Sequence, residues 1–205
     1  MVQPDNTLLQ SSQHANLSSE SDLPPVSGET LFKDVVERAR LLSQTAYERR
    51  VRVLPEALNG LDYDQYRSIR FRPEAAFWKN IVPFELQLFH PGSRQRDTVL
   101  LHLVEEGRIN AVSFDSALFQ YSGSVSPVAG MNGPEFGHAG FRIHYPLNDA
   151  AVSDEVIVFL GASYFRMLSR RHVYGLSCRG LAVDTGLNRG EEFPVFQEFW
   201  LVRPD

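Results

Sequence analysis

"EVIVFLGASYFRML", Glu155 to Leu168, holds two successive runs of β-branched and aromatic residues, EVIVFLG and ASYFRML, and the same composition recurs through the second two-thirds of the chain. "FELQLF" (84–89), "TVLLHLV" (98–104), "INAVSF" (109–114), "LFQYSG" (118–123), "GFRIHYP" (140–146), "HVYGLSCRGLAV" (172–183) and "FQEFWLV" (196–202) have the length and residue types of strands. Between them lie Pro91-Gly92, Glu106-Gly107, Asn132-Gly133-Pro134, Asn148-Asp149 and Gly186-Leu187-Asn188, all turn chemistries. Strands punctuated by turns without intervening helices predict a mainly-β, antiparallel sandwich. No internal repeat suggests a propeller or solenoid.

Upstream, the pattern is helical. Between Leu31 and Tyr47, Leu31, Phe32, Val35, Val36, Ala39, Leu42 and Ala46 alternate with charged residues at helical spacing, which predicts an amphipathic helix with one buried face. Pro55 suits the first turn of a second, short helix ending near Asn59-Gly60. No helix is expected beyond it. In "YRSIRFR" (66–72), Ile69 and Phe71 share a parity with Arg67, while Ser68, Arg70 and Arg72 take the other, which reads as the first strand. The opening segment, rich in Ser, Gln and Asn and ending in Pro24-Pro25, reads as a disordered leader over 1–28, followed by one β-sandwich segment over 29–205.

Composition excludes several function classes. The chain has 205 residues, 43% of them hydrophobic, enough for one domain core. Its net charge of -5, from 20 basic and 25 acidic residues, argues against a nucleic-acid partner, which requires a clustered basic excess. Cys178 is the only cysteine, so no internal disulfide or thiolate zinc site is available. Nothing approaches the roughly 18 consecutive apolar residues of a membrane-spanning helix. The leader lacks the basic and apolar regions of a secretory signal.

His138 and His144 share a parity but would stand about 20 Å apart on an unbroken strand, and no dense ligand spacing occurs, so neither metal nor cofactor is expected. Glu191 and Glu192 are adjacent and point to opposite faces of a strand, and Asp62 and Asp64 read as turn-forming acids, so no catalytic carboxylate pair is assigned. The last fifty or so residues are dense in aromatics and arginines. Sugars lay C–H faces on aromatic rings and exchange hydrogen bonds with guanidinium and hydroxyl groups, which makes Tyr164, Arg166, Tyr174 and Arg179 the candidate carbohydrate-binding residues. Phe165, Phe196 and Phe199 are expected in the core.

"LGASYFR" (160–166), "YGLSCRGLAVDTG" (174–186) and "GEEFPVFQEFW" (190–200), preceded by "LPEALNGLDYDQYRSIRF", "FWKN", "FELQLFHPG" and "AGFRIHYPLN", resemble in order the periplasmic glucan biosynthesis family of OpgG/MdoG and its relative OpgD. The similarity runs from about Phe32 to Asp205. It implies a galactose-mutarotase-like sandwich, linked in full-length members to an immunoglobulin-like domain, of which this chain would be the N-terminal part. It further implies a role in making osmoregulated periplasmic glucans with a β-1,2-linked glucose backbone, a periplasmic location, and as partners β-glucan and other glucan-biosynthesis proteins. Some members resemble inverting β-1,2-glucanases whose catalytic aspartates would fall beyond this sequence. Whether the chain is an enzyme therefore stays open, alongside binding segment and inactive fragment. An incomplete sandwich predicts unpaired strand edges, exposed apolar residues and marginal solubility.

Overall fold

The computed structural model describes residues 26–48, 54–127, 131–133, 136–161, 163–173 and 175–205. Residues 1–25 of the expected leader lie outside the described residues. Helix α1 spans Gly28–Leu42 and starts where the Ser27 hydroxyl accepts from the Thr30 N–H at 3.1 Å. The expected apolar face of α1 is not buried as a whole. Phe32, Val36, Leu41 and Leu42 are exposed, and only Leu31 is buried. The helix docks through Leu31, half-buried Val35 and Arg38, whose guanidinium meets Glu198 at 2.6 Å and lies 5.5 Å from the Trp200 ring. Ion pairing and cation–π contact thus replace part of the apolar seam.

Helix α2, Glu56–Asn59, follows Pro55 as expected and buries Leu58. A third helix, α3, spans Tyr63–Arg67, against the expectation of none. Its cause is a capping box: the Asp62 carboxylate accepts from the Gln65 N–H at 2.8 Å, while the Gln65 side-chain oxygen accepts from the Asp62 N–H at 2.9 Å. Asp62 is therefore a cap, and the strand expected over 66–72 shrinks to β1, Arg70–Phe71.

Nine further strands follow: β2 Glu85–Phe89, β3 Leu100–Glu105, β4 Arg108–Ala111, β5 Phe119–Gln120, β6 Gly140–Tyr145, β7 Asp154–Leu160, β8 Tyr164–Met167, β9 Leu176–Arg179 and β10 Glu198–Val202. They form a five-stranded antiparallel sheet ordered β2-β6-β7-β8-β9, a three-stranded sheet β10-β3-β4, and a β1-β5 pair. The architecture is the expected mainly-β sandwich, with one parallel pairing, β10 to β3. Along β6 and β7, Phe141 and Phe159 face inward and meet β10. Phe199 lies 5.1 Å from Phe141 and 5.0 Å from Phe159, and Phe196 lies 5.8 Å from Phe159. Leu86, Leu88, Leu101, Phe114 and Phe119 complete the buried centre.

The β9 edge of the larger sheet is open and carries exposed apolar residues at its start: Val173, in the bend before the strand, is 86% exposed and Leu176 80%. Cys178 is exposed on the same strand. Flat apolar edges pair with copies of themselves. Leu176→Lys is expected to raise the concentration at which the protein self-associates by at least about tenfold, the worth of one leucine burial. Sedimentation velocity across a dilution series checks this, and an unchanged association profile would place the sticky surface elsewhere.

Candidate functional site

The site is built by period two and by one irregularity. In the five-stranded sheet Gln87 stands opposite Arg142, Arg142 opposite Val158, Val158 opposite Arg166, and Arg166 opposite Ser177. Residues opposite one another share a face, so this row crosses all five strands on the side away from Phe141 and Phe159. The β6–β7 register then shifts: Ile143 faces Ile157, but the next residue, His144, faces Glu155, leaving Val156 as the extra residue of a bulge. Strict alternation would send Glu155 to the phenylalanine side; the bulge returns it to the arginine side.

The Arg142 Nε and Nη2 donate to the Gln87 side-chain oxygen at 3.1 and 2.8 Å, and its Nη1 donates to Glu155 Oε2 at 3.2 Å. Arg166 Nη2 donates to the other oxygen of Glu155. Gln87 is buried, so its amide oxygen fixes the Arg142 fork from below. Burial, and next the charge of Arg142, hold the His144 ring below its ordinary range, against the opposing pull of Glu155 and Glu85. Glu155 divides its two oxygens between two guanidinium groups. That arrangement positions donors and suits recognition of a hydroxylated ligand.

Of the four residues singled out from the sequence, three share this face. Tyr164 is paired with Arg179, and its hydroxyl lies 3.1 Å from the Ser177 hydroxyl. The Arg179 guanidinium lies 4.1 Å from the centre of the Phe193 ring. Arg166 is the partner of Glu155 described above. Tyr174 lies outside the described residues. Phe165 points the other way, toward the core side of the sheet, and stacks on Phe159 at 5.4 Å while staying half-buried. Gly175 lets the chain pass over Arg166: a Cβ there would lie 2.8 Å from the Arg166 Cγ.

Beyond Arg142 the polar face opens into a cavity of about 390 Å³, whose lining includes Tyr66, Arg67, Arg70, Phe89, His90 and Arg142. Phe89 lies 5.5 Å from the Arg142 guanidinium. Burial pushes the Tyr66 phenol up, and its O–H donates to the His90 carbonyl at 2.8 Å. His90 itself is held to about 4 by burial, against the favourable Pro91 carbonyl. Its Nδ1 lies 2.5 Å from that carbonyl oxygen, which can only accept, so Nδ1 carries the proton and Nε2 accepts from the Tyr121 hydroxyl at 3.0 Å.

Gln87, Arg142 and Glu155 were missed in the sequence. Gln87 and Arg142 had a signal: each is a polar residue with an apolar neighbour on either side within a strand, "LQL" in "ELQLF" and "FRI" in "GFRIHY". Glu155 had none, because a bulge has no local signature in "DEVIVFL". Among the described residues, no group of three or more His, Cys, Asp or Glu side chains could hold a metal ion, and no helix is long and apolar enough to cross a membrane.

The comparisons with known proteins point the same way as the motif blocks. Residues 31–205 match the family model described as periplasmic glucan biosynthesis protein, MdoG. A protein named glucans biosynthesis protein G from Ralstonia nicotianae is 49% identical over 175 residues, covering 84% of this chain and 34% of the relative. Proteins of the same name from Bradyrhizobium diazoefficiens and Vibrio cholerae are 46% and 42% identical, covering 83% of this chain in each case and 33% and 31% of the relative. The chain thus spans about a third of the length of the curated relatives it matches. With a family model covering nearly all of its sandwich and relatives of this identity, the chain belongs to the MdoG family of periplasmic glucan biosynthesis proteins.

Proposed function

We propose that this chain is a carbohydrate-binding β-sandwich segment that holds a β-1,2-linked glucan in the periplasm during the biosynthesis of osmoregulated glucans. The observation that carries the reading is the row of Arg142, Glu155 and Arg166, with Tyr164 and Arg179 beside it, on one face of the five-stranded sheet. Two guanidinium groups oriented by a shared carboxylate present their remaining N–H groups to hydroxyl oxygens at little further entropic cost. The Tyr164 and Phe193 rings supply flat apolar surface for sugar C–H faces. Family membership supports a glucan as the sugar. The residues on this face favour holding over cleavage, because Glu155, the carboxylate at its centre, is occupied by two arginines.

Titration of linear β-1,2-glucan into the protein, followed by amide NMR, is expected to perturb β7, β8 and β9. Arg166→Ala should weaken binding by about tenfold, the loss of one charge-assisted hydrogen bond. Unchanged spectra at millimolar glucan, or unchanged affinity in the variant, would overturn the reading.

A further inference from the structure

The cavity beside Arg142 shares Arg67 and Arg70 with a second cavity. The outer one, about 320 Å³, is lined by Asp64, Arg67, Ser68, Arg70, Gln120 and Ser122. Neither Arg67 nor Arg70 meets a carboxylate among the described residues, whereas Arg142 and Arg166 do. Both are exposed, so a solute reaches them. Arg67 is steadied by the Tyr63 ring at 5.5 Å from its guanidinium, and Arg70 is held at the β1–β5 pairing opposite Gln120. Ser68 and Ser122 have committed their protons to the carbonyls of Gln65 and Ser68 at 2.6 and 3.0 Å. The uncommitted donors of the cleft are therefore the two guanidinium groups and the Gln120 amide. Phe71, Phe89 and Phe119 line the adjoining cavity, which lowers the local dielectric and strengthens attraction to these charges. Asp64 opposes them, but a single carboxylate faces two arginines.

We infer that this cleft is a binding site for a small oxyanion, a phosphate or carboxylate group, gripped by Arg67 and Arg70 with Gln120 as the neutral donor. Planar guanidinium forks match such oxygens, and the volume leaves room for such a group together with the small molecule or substituent that bears it. The site stands on its own residues and does not depend on the glucan reading of the Arg166 face.

Inorganic phosphate, glucose 6-phosphate and glucose, each titrated separately into the full chain and followed by arginine side-chain NMR, test the inference. Phosphate is expected to shift the Arg67 and Arg70 signals, and the double variant Arg67→Gln, Arg70→Gln to weaken its binding by at least about tenfold. Asp64→Asn should strengthen it, which a purely structural role for the arginines would not produce. Arg94→Gln serves as the surface control, and unchanged thermal denaturation of the double variant confirms that it folds. Tighter binding of glucose 6-phosphate than of phosphate assigns an anion carried on a saccharide, and equal binding assigns a free anion. Glucose binding as tightly as glucose 6-phosphate, no shift with phosphate, or a double variant that binds like the parent would overturn the inference.

Discussion

Gly140→Ala is expected to lose about 3 kcal/mol or more of stability, seen as a urea midpoint shifted down with the slope unchanged. Gly140 opens β6 at φ +147°, and a Cβ there would lie 2.0 Å from the Phe159 carbonyl oxygen and 3.0 Å from the Leu160 Cα. Both neighbours are backbone, so no side chain can turn away. Gly140 pairs with Leu160 on one side and with Phe89 on the other, so relief requires moving two ladders at once. The apolar packing of Phe141 next to it would be disturbed as well. Gly123 is the control: its φ is +69° and nothing lies within 4 Å, so alanine there meets only the conformational strain, about 1 kcal/mol. Equal losses at the two glycines would show that crowding at Phe159 is not the cause.

Acid is expected to unfold this protein between pH 6.5 and about 4. His90 and His138 are both buried, and burial lowers each from 6.5 to about 4. Between these values the unfolded chain binds more protons than the folded one, so stability is complete above pH 6.5 and falls as the pH drops toward 4. Each ring accounts for roughly 3 kcal/mol across that window. His138 is the more informative of the two. Neither of its ring nitrogens has a hydrogen-bond partner among the described residues, and it packs 5.5 Å from the Phe114 ring. The nearby carbonyls of Val112 and Ser113, which favour the charged ring, offset only part of the burial. His138→Phe keeps an aromatic ring against Phe114 while removing the titration, so the pH slope should fall by about half. Denaturant midpoints measured across the window check this, and parallel curves for parent and variant would rule out His138 as a source of the acid sensitivity.

What the sequence made legible follows from the range of the interactions. The strands of the five-stranded sheet were readable because alternation is local: Leu86, Leu88, Phe141 and Phe159 mark the inner face by position alone. Phe165 fell on the core side for the same reason, whereas Phe196, which precedes β10 and has the opposite parity to Phe199, reaches Phe159 only because the chain ahead of β10 is not a strand. Helix α3 was misread because "YRSIRFR" alternates while its neighbour Asp62 carries the capping box with Gln65, and the cap prevailed over the alternation. The apolar face of α1 was real in the sequence, yet docking followed Arg38, whose partners Glu198 and Trp200 are remote in the chain. At the candidate site, Tyr164, Arg166 and Arg179 were legible from residue type alone, as tyrosines and arginines in an aromatic-rich stretch, and the pairing of β8 with β9 puts them on one face. Glu155 was not, because only the register shift against β6 turns it toward the arginines.

The parallel pairing of β10 with β3 sets the tempo of assembly. His102 and Glu198, joined at 2.7 Å, are 96 positions apart. A loop of that size must close before the smaller sheet gains its third strand, whereas the antiparallel neighbours β6, β7 and β8 zip from short turns. The β6–β7–β8 part of the larger sheet is therefore expected to form first, leaving Phe141 and Phe159 to be covered when Phe199 seats, and that seating is expected to be the slow step.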